Sequence, residues 1–373
     1  MGVGSTNRIP LSKPVITDEM IEAAIYALRN ERLVLGESVY RFEEAFARYI
    51  GTDYAISVSS GTAALTLSLL ALNIKNQEVI TTPLSFIATA NSVVHAGGIP
   101  RFSDVSDQDF NLNPDEIPKT ISKKTSTILP VHLFGYPCQM DEICEIARAR
   151  ELRIVEDAAQ AHGAIYKGKK VGSIGDLGCF SFYSSKNMTV GGDGGMVTTN
   201  DDSLAKTIAK LRDCGRTSRY LHDVLGFTAR LNTVNAAIGL VQLKYLDEWN
   251  EKRRAIARYY MKHLQDLPEI KLPPMGTNDV QPVFHLLVIR CKKRDELARH
   301  LESKGVECGI HYPVPIHLQP IYVEAFGYSS GMFPVSEALS RSLLSLPMFP
   351  TLSLDDVKYV CEEIFNFYGG SGA

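Results

Sequence analysis

One lysine, Lys186, stands between two sequence features that restrict a side chain. An apolar run over residues 178–183 precedes it and predicts a buried strand. Four glycines around one acid, at 191–195, follow it and lead into a second strand-like run at 196–199. A lysine held away from water has a lowered pKa, and its amine can then form a Schiff base with a carbonyl or with pyridoxal phosphate (PLP). The alternative interpretation is an exposed lysine in a loop, the commoner situation for this residue type.

A second candidate site follows another predicted strand, in the run Ser59-Ser60-Gly61-Thr62-Ala63-Ala64. These small residues open a predicted helix, where free backbone N–H groups bind phosphate and small side chains let a ligand approach. An ordinary serine helix cap is the alternative interpretation. No Gly-Lys-Ser/Thr follows, so the run is not a nucleotide P-loop.

Asp157 ends a further predicted strand, 29 residues before Lys186. Ligands of open α/β sheets bind beyond the carboxyl ends of strands, and a carboxylate there can keep a pyridine nitrogen protonated. A helix N-cap is the alternative for Asp157. For His162, five residues later, a structural role is the preferred interpretation. Phe86 could stack on a flat ring, although its spacing favours a position in the core.

The elements that would position these residues alternate between strand and helix, which is typical of an α/β domain with a mostly parallel sheet flanked by helices. A long helix is predicted over 232–264, and a proline-rich patch at 272–275 precedes a smaller C-terminal α/β domain. We predict a large domain over residues 1–248 and a small domain over 249–373. The predicted strands are 54–58, 78–81, 99–102, 126–131, 153–156 and 283–289, and the other predicted helices are 18–30, 38–49, 61–72, 85–95, 140–150, 293–304 and 354–367.

Composition excludes several classes of function. The 373 residues carry a formal net charge of −3 with no basic block, which argues against nucleic acid as a partner. No apolar run approaches the roughly 20 residues that a membrane helix needs, so no membrane partner is expected. The seven cysteines form no CxxC pair. They predict reduced thiols in a cytoplasmic protein rather than disulfides or a metal site.

Taken together, the motifs resemble those of the DegT/StrS group of sugar aminotransferases, which are PLP enzymes of fold type I. The resemblance runs from residues 11–14 to 346–350. Its motifs are Ser60-Gly61-Thr62-Ala63-Ala64-Leu65, Val131-His132-Leu133-Phe134-Gly135, Glu156-Asp157-Ala158-Ala159-Gln160, Ser184-Ser185-Lys186-Asn187 and the run at 311–317. It implies that an amino group moves from an L-amino acid, expected to be glutamate, to a keto sugar, expected to be nucleotide-linked. PLP would cycle through pyridoxamine phosphate, in amino-sugar and polysaccharide biosynthesis.

The resemblance also implies a role for each site residue. Lys186 would bind PLP covalently and shuttle protons, and Asp157 would pair with the pyridine nitrogen. The remaining cofactor contacts would be Gln160 near the ring hydroxyl, Phe86 on the ring face, and Gly61, Thr62 and Ser181 at the phosphate. Candidate contacts to the substrate are His317, Arg230 and Tyr183.

Two positions depart from the family pattern. Members commonly carry Asn in a Gly-aromatic-Asn-x-Arg segment that reaches the PLP phosphate of a neighbouring subunit, whereas this chain reads Gly226-Phe227-Thr228-Ala229-Arg230. Thr228 could still donate one hydrogen bond, so a homodimer with a shared active site is expected. Many members read Gly-Glu-Gly-Gly where this chain has Asp193 among its glycines. That difference is expected to mark a subgroup with its own substrate.

Two other functions remain as alternatives. Related dehydratases use pyridoxamine phosphate for sugar deoxygenation, but they typically replace the lysine, often with histidine. A non-catalytic regulatory protein on the same scaffold is the second alternative. The intact set of chemical positions argues against it.

Overall fold

A computed structural model of the protein describes residues 8–369. Helices and strands alternate through the first two thirds of the chain, and a smaller group follows a long helix. The helices are α1 Asp18–Asn30, α2 Glu37–Ile50, α3 Gly61–Ala71, α4 Ala88–His95, α5 Ile117–Thr120, α6 Met140–Ala149, α7 Asp202–Leu211, α8 Thr233–Leu264, α9 Arg294–Ser303, α10 Pro320–Phe326, α11 Pro334–Ser340 and α12 Leu354–Gly369. The strands are β1 Tyr54–Val58, β2 Glu78–Thr81, β3 Ile99–Phe102, β4 Thr125–Ile128, β5 Arg153–Asp157, β6 Ile165–Tyr166, β7 Lys169–Lys170, β8 Leu177–Ser181, β9 Gly195–Thr199, β10 Ile270–Lys271, β11 Val280–Gln281, β12 Leu287–Cys291 and β13 Leu343–Leu346.

The central sheet has seven strands in the order β1-β9-β8-β5-β4-β2-β3. The pairs from β8 through β3 are parallel, and β9 runs antiparallel to both of its neighbours. The strands are short and mostly buried, as expected when helices cover both faces. This arrangement confirms the predicted α/β class with a mostly parallel central sheet.

Parallel topology gathers the predicted site residues at one edge of this sheet. The carboxyl ends of parallel strands point the same way, so the residues that follow β1, β2, β5 and β8 come together. Those residues include the run after Val58, the loop that carries Phe86, Asp157 at the end of β5, and Ser181 at the end of β8. Their convergence is a consequence of topology and needs no long-range sequence signal.

The C-terminal part has a core of its own. Strands β10, β12 and β13 form a three-stranded antiparallel sheet. Helices α9 and α12 and the end of α8 bury their apolar faces with it. Ile9 joins this cluster and its backbone pairs with Val306, so the start of the described chain packs on the C-terminal part. Helix α8 is continuous across residues 248 and 249, and the boundary between the two predicted domains, which stays a prediction, falls within it.

Several predicted boundaries were displaced. The helix predicted from residue 85 begins at Ala88, because residues 85–87 form the loop beside the site. The strand predicted from residue 283 begins at Leu287, because residues 283–286 cross towards the C-terminal sheet before pairing starts. Thr17 caps α1, its hydroxyl accepting from the Met20 amide. Among residues 8–369, none of the helices combines the length and apolar character that a membrane crossing requires.

Candidate active site

A loop closed at its base presents Lys186 to a cavity. The Phe182 amide donates to the Gly194 carbonyl over 2.8 Å, and the Lys186 amide donates to the Tyr183 carbonyl over 2.8 Å. Lys186 is half-buried and lines this cavity. Burial lowers the pKa of Lys186 to about 8, although the charge of Asp157 opposes the shift. Near neutral pH the unprotonated fraction of the amine, which nucleophilic attack requires, is therefore far larger than for an ordinary lysine.

Asp157 lies across the same cavity at the carboxyl end of β5, with its side chain almost fully buried. Its Oδ2 accepts from the Thr89 hydroxyl at 2.8 Å, and its Oδ1 accepts from the Ala159 amide at 3.2 Å. Burial raises the pKa of Asp157, while these two donors and the Lys186 charge oppose the rise. A carboxylate in this situation gains from a cationic N–H partner, because a charge-assisted hydrogen bond compensates for its lost hydration.

The neighbouring Glu156 anchors the strand end that carries Asp157. Glu156 is fully buried and accepts three backbone N–H groups of residues 172–175 at 2.7–2.8 Å. His132 Nε2 lies 3.0 Å from its Oε2, and the Cys138 amide donates to His132 Nδ1, so the imidazole proton belongs on Nε2. Burial alone would raise the pKa of Glu156, but the His132 and backbone hydrogen bonds lower it. Glu156 is thus a charged structural anchor that the sequence patterns did not single out.

The start of α3 offers an anion site. The Ser60 hydroxyl accepts from the Ala63 amide at 3.1 Å, and no group within residues 8–369 accepts from the Gly61 and Thr62 amides. A side chain at Gly61 would bring its Cβ within 2.7 Å of Ser181 Cβ, so glycine permits the close approach of α3 to the end of β8. Free N–H groups and the helix dipole favour a phosphate at this point.

The cavity has a volume of about 560 Å³ and brings together most of the predicted residues. Gln160 spans its wall, with Oε1 accepting from the Phe134 amide at 2.8 Å and Nε2 donating to the Tyr312 hydroxyl at 3.1 Å. Phe86 is 57% exposed, so the core position favoured by its spacing was wrong. The predicted residues that line the cavity are Gly61, Thr62, Phe86, Asp157, Gln160, Ser181, Tyr183 and Lys186.

Three other predicted residues lie outside this cavity. His317 is fully buried, with Nε2 3.2 Å from Glu337 Oε1 and its ring against Phe333, and it does not line this cavity, so its contact to the substrate stays a prediction. Arg230 forms an ion pair with Asp213. Thr228 is exposed, and its hydroxyl lies 3.3 Å from Cys214 Sγ. Neither Arg230 nor Thr228 lines the cavity of its own protomer.

Sequence reasoning missed two histidines on the cavity wall. His285 is buried beside the cavity, and His311 is placed there with its Nδ1 2.8 Å from the Ser345 hydroxyl. Burial lowers the pKa of both, and the Lys186 charge adds to the effect, so both rings are neutral at pH 7. His311 falls within a motif that carried the family resemblance. His285 was hidden inside an apolar run that predicted only a strand. His162, by contrast, is fully buried away from the cavity, which agrees with a structural role.

Comparison with known proteins decides the family. The model of the DegT/DnrJ/EryC1/StrS aminotransferase family matches residues 14–365. The chain belongs to this family. A pleiotropic regulatory protein of Geobacillus stearothermophilus is 38% identical, over 94% of each chain. The dTDP-3-amino-3,4,6-trideoxy-alpha-D-glucose transaminase of Streptomyces venezuelae is 40% identical, over 90% of this chain and 89% of that protein. The crystal structure of S. venezuelae DesV in complex with a ketimine intermediate superimposes with a TM-score of 0.91, 39% identity and 94% of each chain covered.

Membership in this aminotransferase family implies PLP as the cofactor, and the residues present fit it. The lysine has a lowered pKa, the buried carboxylate has acceptor capacity left, and the free amides at the start of α3 stand beside a glycine that admits close approach. Lys186 would hold the aldehyde carbon, Asp157 the pyridine nitrogen, and Gly61, Thr62 and Ser181 the phosphate. Phe86 and Gln160 line the space that remains for the ring.

Proposed function

We propose that this protein is a PLP-dependent aminotransferase that moves an amino group from L-glutamate to a nucleotide-linked keto sugar in the cytoplasm. The observation that carries the proposal is the convergence of a lysine of lowered pKa, a buried carboxylate and a free helix start on one cavity. Relatives whose names describe nucleotide-sugar transaminases support the substrate class. The same relatives support a role for this protein in amino-sugar and polysaccharide biosynthesis.

Each residue of the cavity then has a task. PLP, when bound, withdraws electrons from the Cα of the amino donor, and it cycles through pyridoxamine phosphate between the two halves of the reaction. The Lys186 amine would take the proton from Cα of the amino donor and return it at C4′ of the cofactor. Asp157 would keep the pyridine nitrogen protonated. Because the imidazoles of His285 and His311 are neutral, they add no positive charge beside Lys186 and do not lower its pKa further. The Lys186 amine therefore stays basic enough to accept a proton, while its unprotonated form is still available for attack.

A colour change tests this function directly. A protein that carries PLP on a lysine absorbs visible light, and L-glutamate should bleach it as the cofactor takes up the amino group, with release of α-ketoglutarate. D-glutamate serves as the control and should leave the colour unchanged. A protein that binds PLP without bleaching would instead be a binding or regulatory protein, the role named for the G. stearothermophilus relative.

Identification of the sugar product tests the dehydratase alternative. A dehydratase that depends on pyridoxamine phosphate works without a lysine that anchors PLP, whereas Lys186 is present and lines the cavity here. Conversion of the sugar with loss of a hydroxyl and no gain of nitrogen would favour the dehydratase.

We further propose a homodimer in which each active site includes residues of both subunits. The segment over residues 216–228, which carries Thr228, exposes an unusual number of apolar side chains, with Leu225 at 96% and Tyr220 at 77% exposure. Exposed apolar patches of this kind mark interaction surfaces. On α8, by contrast, Val241 is buried against Met20 and Trp249 of the same chain, so this part of the helix packs on its own protomer.

The role of Thr228 gives a testable prediction. If the Thr228 hydroxyl donates to the PLP phosphate of the partner, Thr228→Val keeps the shape and removes one hydrogen bond to a charged group, worth about 1.5–3 kcal/mol. PLP should then bind roughly 10- to 150-fold more weakly, while Thr228→Asn is tolerated. Thr207→Val, the same change on α7, serves as the control because its hydroxyl bonds within its own helix.

Two outcomes would count against this arrangement. Unchanged PLP affinity in Thr228→Val would show that the residue only fills space, although the dimer could stand. An active monomer in sedimentation at the assay concentration would overturn the shared site itself.

A further inference from the structure

A hydrogen bond between buried side-chain amides connects Asn187, the residue after Lys186, to helix α8. Asn187 is 4% exposed, and its Nδ2 donates to Asn250 Oδ1 at 2.9 Å and to the Val283 carbonyl at 3.0 Å. Asn250 is 1% exposed and donates in turn to the His162 carbonyl at 2.8 Å. The chain of hydrogen bonds therefore joins the lysine loop, the long helix and the segment that leads into the C-terminal part.

Arg253 extends this polar cluster by one turn of α8. Its guanidinium is buried, and one nitrogen donates to the carbonyls of Phe284, His285 and Met348 at 3.1–3.2 Å. Within residues 8–369 it forms no ion pair with a carboxylate. Burial lowers the pKa of Arg253 to about 9, so the group is still charged at neutral pH. A buried cation without an anionic partner is costly, so the three carbonyls that accept from Arg253 must compensate for its lost hydration.

The spacing of Asn250 and Arg253 explains what the cluster does. Residues three apart share one face of a helix, so this face of α8 holds consecutive backbone groups at 283–285 and, through Asn187, the lysine loop. His285 from that segment and Lys186 from the loop both line the cavity. Asn187 Oδ1 and Arg253 Nε have no hydrogen-bond partner among the described residues, but the bonds that the cluster does make favour one arrangement of the groups they join.

We propose that Asn187 and Asn250 act as one positioning unit that fixes Lys186 in the cavity, with Arg253 holding the adjoining 283–285 segment in register. These are positioning residues, since neither amide lines the large cavity. The inference rests on the proposed function for the use made of Lys186, but its first test needs neither cofactor nor substrate.

That test measures the lysine in the apoprotein. An amine-reactive reagent is applied across pH, and modification of Lys186 is followed by mass spectrometry after digestion. In the wild type the reactivity should have its midpoint near pH 8. In Asn187→Leu and in Asn250→Leu the loosened side chain gains water, so the midpoint should move towards the ordinary value for lysine by roughly one unit. Asn250→Ser provides a milder variant if a leucine variant does not fold.

Asn111→Leu is the matched control. Asn111 is equally buried and also uses its amide twice, towards the Tyr136 carbonyl and from the Leu133 amide, but it does not contact the lysine loop. It should lower thermal stability without moving the midpoint. An equal shift in Asn111→Leu would overturn the proposal, because general loosening would then explain the effect.

Kinetics on the loaded enzyme supply the second measurement. Small misplacement of a catalytic group can cost about 100-fold in rate, so each leucine variant should lower kcat by roughly 10- to 100-fold with little change in the KM for the amino donor. Because the two amides act as one unit, the double variant should be no slower than the slower single variant. Independent, multiplicative losses would contradict a single unit, and a folded Asn187→Leu with wild-type midpoint and kcat would overturn the proposal.

Discussion

Lys186→Ala is expected to reduce transamination by roughly 10³- to 10⁴-fold, the upper range for loss of an acid–base group. The change removes both the covalent anchor of PLP and the amine that moves the substrate proton. Borohydride reduction of the wild type should leave a pyridoxyl group on Lys186, found by digestion and mass spectrometry, and the variant should lack it. Lys169→Ala, at an exposed lysine on β7, controls for loss of a positive charge. A pyridoxyl group on another lysine would show that the assignment is wrong.

The lowered pKa of Lys186 adds a pH dependence to this expectation. Only the unprotonated amine attacks, and its fraction rises as pH increases through about 8. Capture of PLP by the apoprotein should therefore accelerate from pH 7, reach half of its maximum near pH 8 and level off about one unit higher, as followed by absorbance in stopped flow. A rate that climbs steadily to pH 10 would mean that the lysine is fully hydrated, contrary to its burial here.

Asp157→Asn should leave PLP bound but slow transamination severely. The variant keeps the shape of the side chain and removes the charge that holds the pyridine nitrogen protonated. A charge-assisted hydrogen bond is worth about 1.5–3 kcal/mol in the ground state, which corresponds to roughly 10- to 150-fold, and the loss in the transition state is expected to be larger because charge develops there. Single-turnover absorbance measurements with glutamate report this step. Near-normal turnover in the variant would remove Asp157 from the mechanism.

Asp157→Asn should slow transamination but raise the thermal stability of the apoprotein at neutral pH. The folded-state pKa of Asp157 is raised, so its protonation favours folding at low pH and its charge opposes folding once the pH exceeds that pKa. Apoprotein with asparagine at this position should therefore melt at a higher temperature than wild type at pH 7, and the difference should shrink as the pH falls towards 4. A lower melting temperature at pH 7 would indicate that the carboxylate is well compensated even without cofactor.

The site residues that sequence reasoning found share a local signal. Lys186, Asp157 and the run after Ser59 each sit next to a strand whose apolar pattern is short and unambiguous, and parallel topology then brings strand ends together. The role of Gly61 could be predicted for the same reason, because a phosphate-binding helix start requires the ligand and neighbouring strands to approach the backbone closely.

The residues that were missed or misplaced depend on contacts distant in sequence. His285 reaches the cavity because the chain crosses between sheets before β12 begins, and Arg253 on α8 holds its carbonyl. Asn250 meets Asn187 across 63 residues. Phe86 was expected in the core but is exposed at the cavity. The spacing of residues shows which of them share a face of an element, but it does not show whether that face packs on the core or borders a cavity. His317 was assigned by resemblance alone, and its neighbours Glu337 and Phe333 bury it.

The most direct measurement of the central claim follows nitrogen itself. The PLP-loaded protein is incubated with ¹⁵N-labelled L-glutamate and, one at a time, a panel of nucleotide-linked keto sugars, and the products are identified by mass. We predict that one sugar nucleotide gains a ¹⁵N amino group in place of its ketone oxygen, and that Lys186→Ala slows this transfer by roughly 10³- to 10⁴-fold. A folded, PLP-loaded protein that transfers no label to any sugar of the panel, or a Lys186→Ala variant that transfers it at a rate near that of the wild type, would contradict the account.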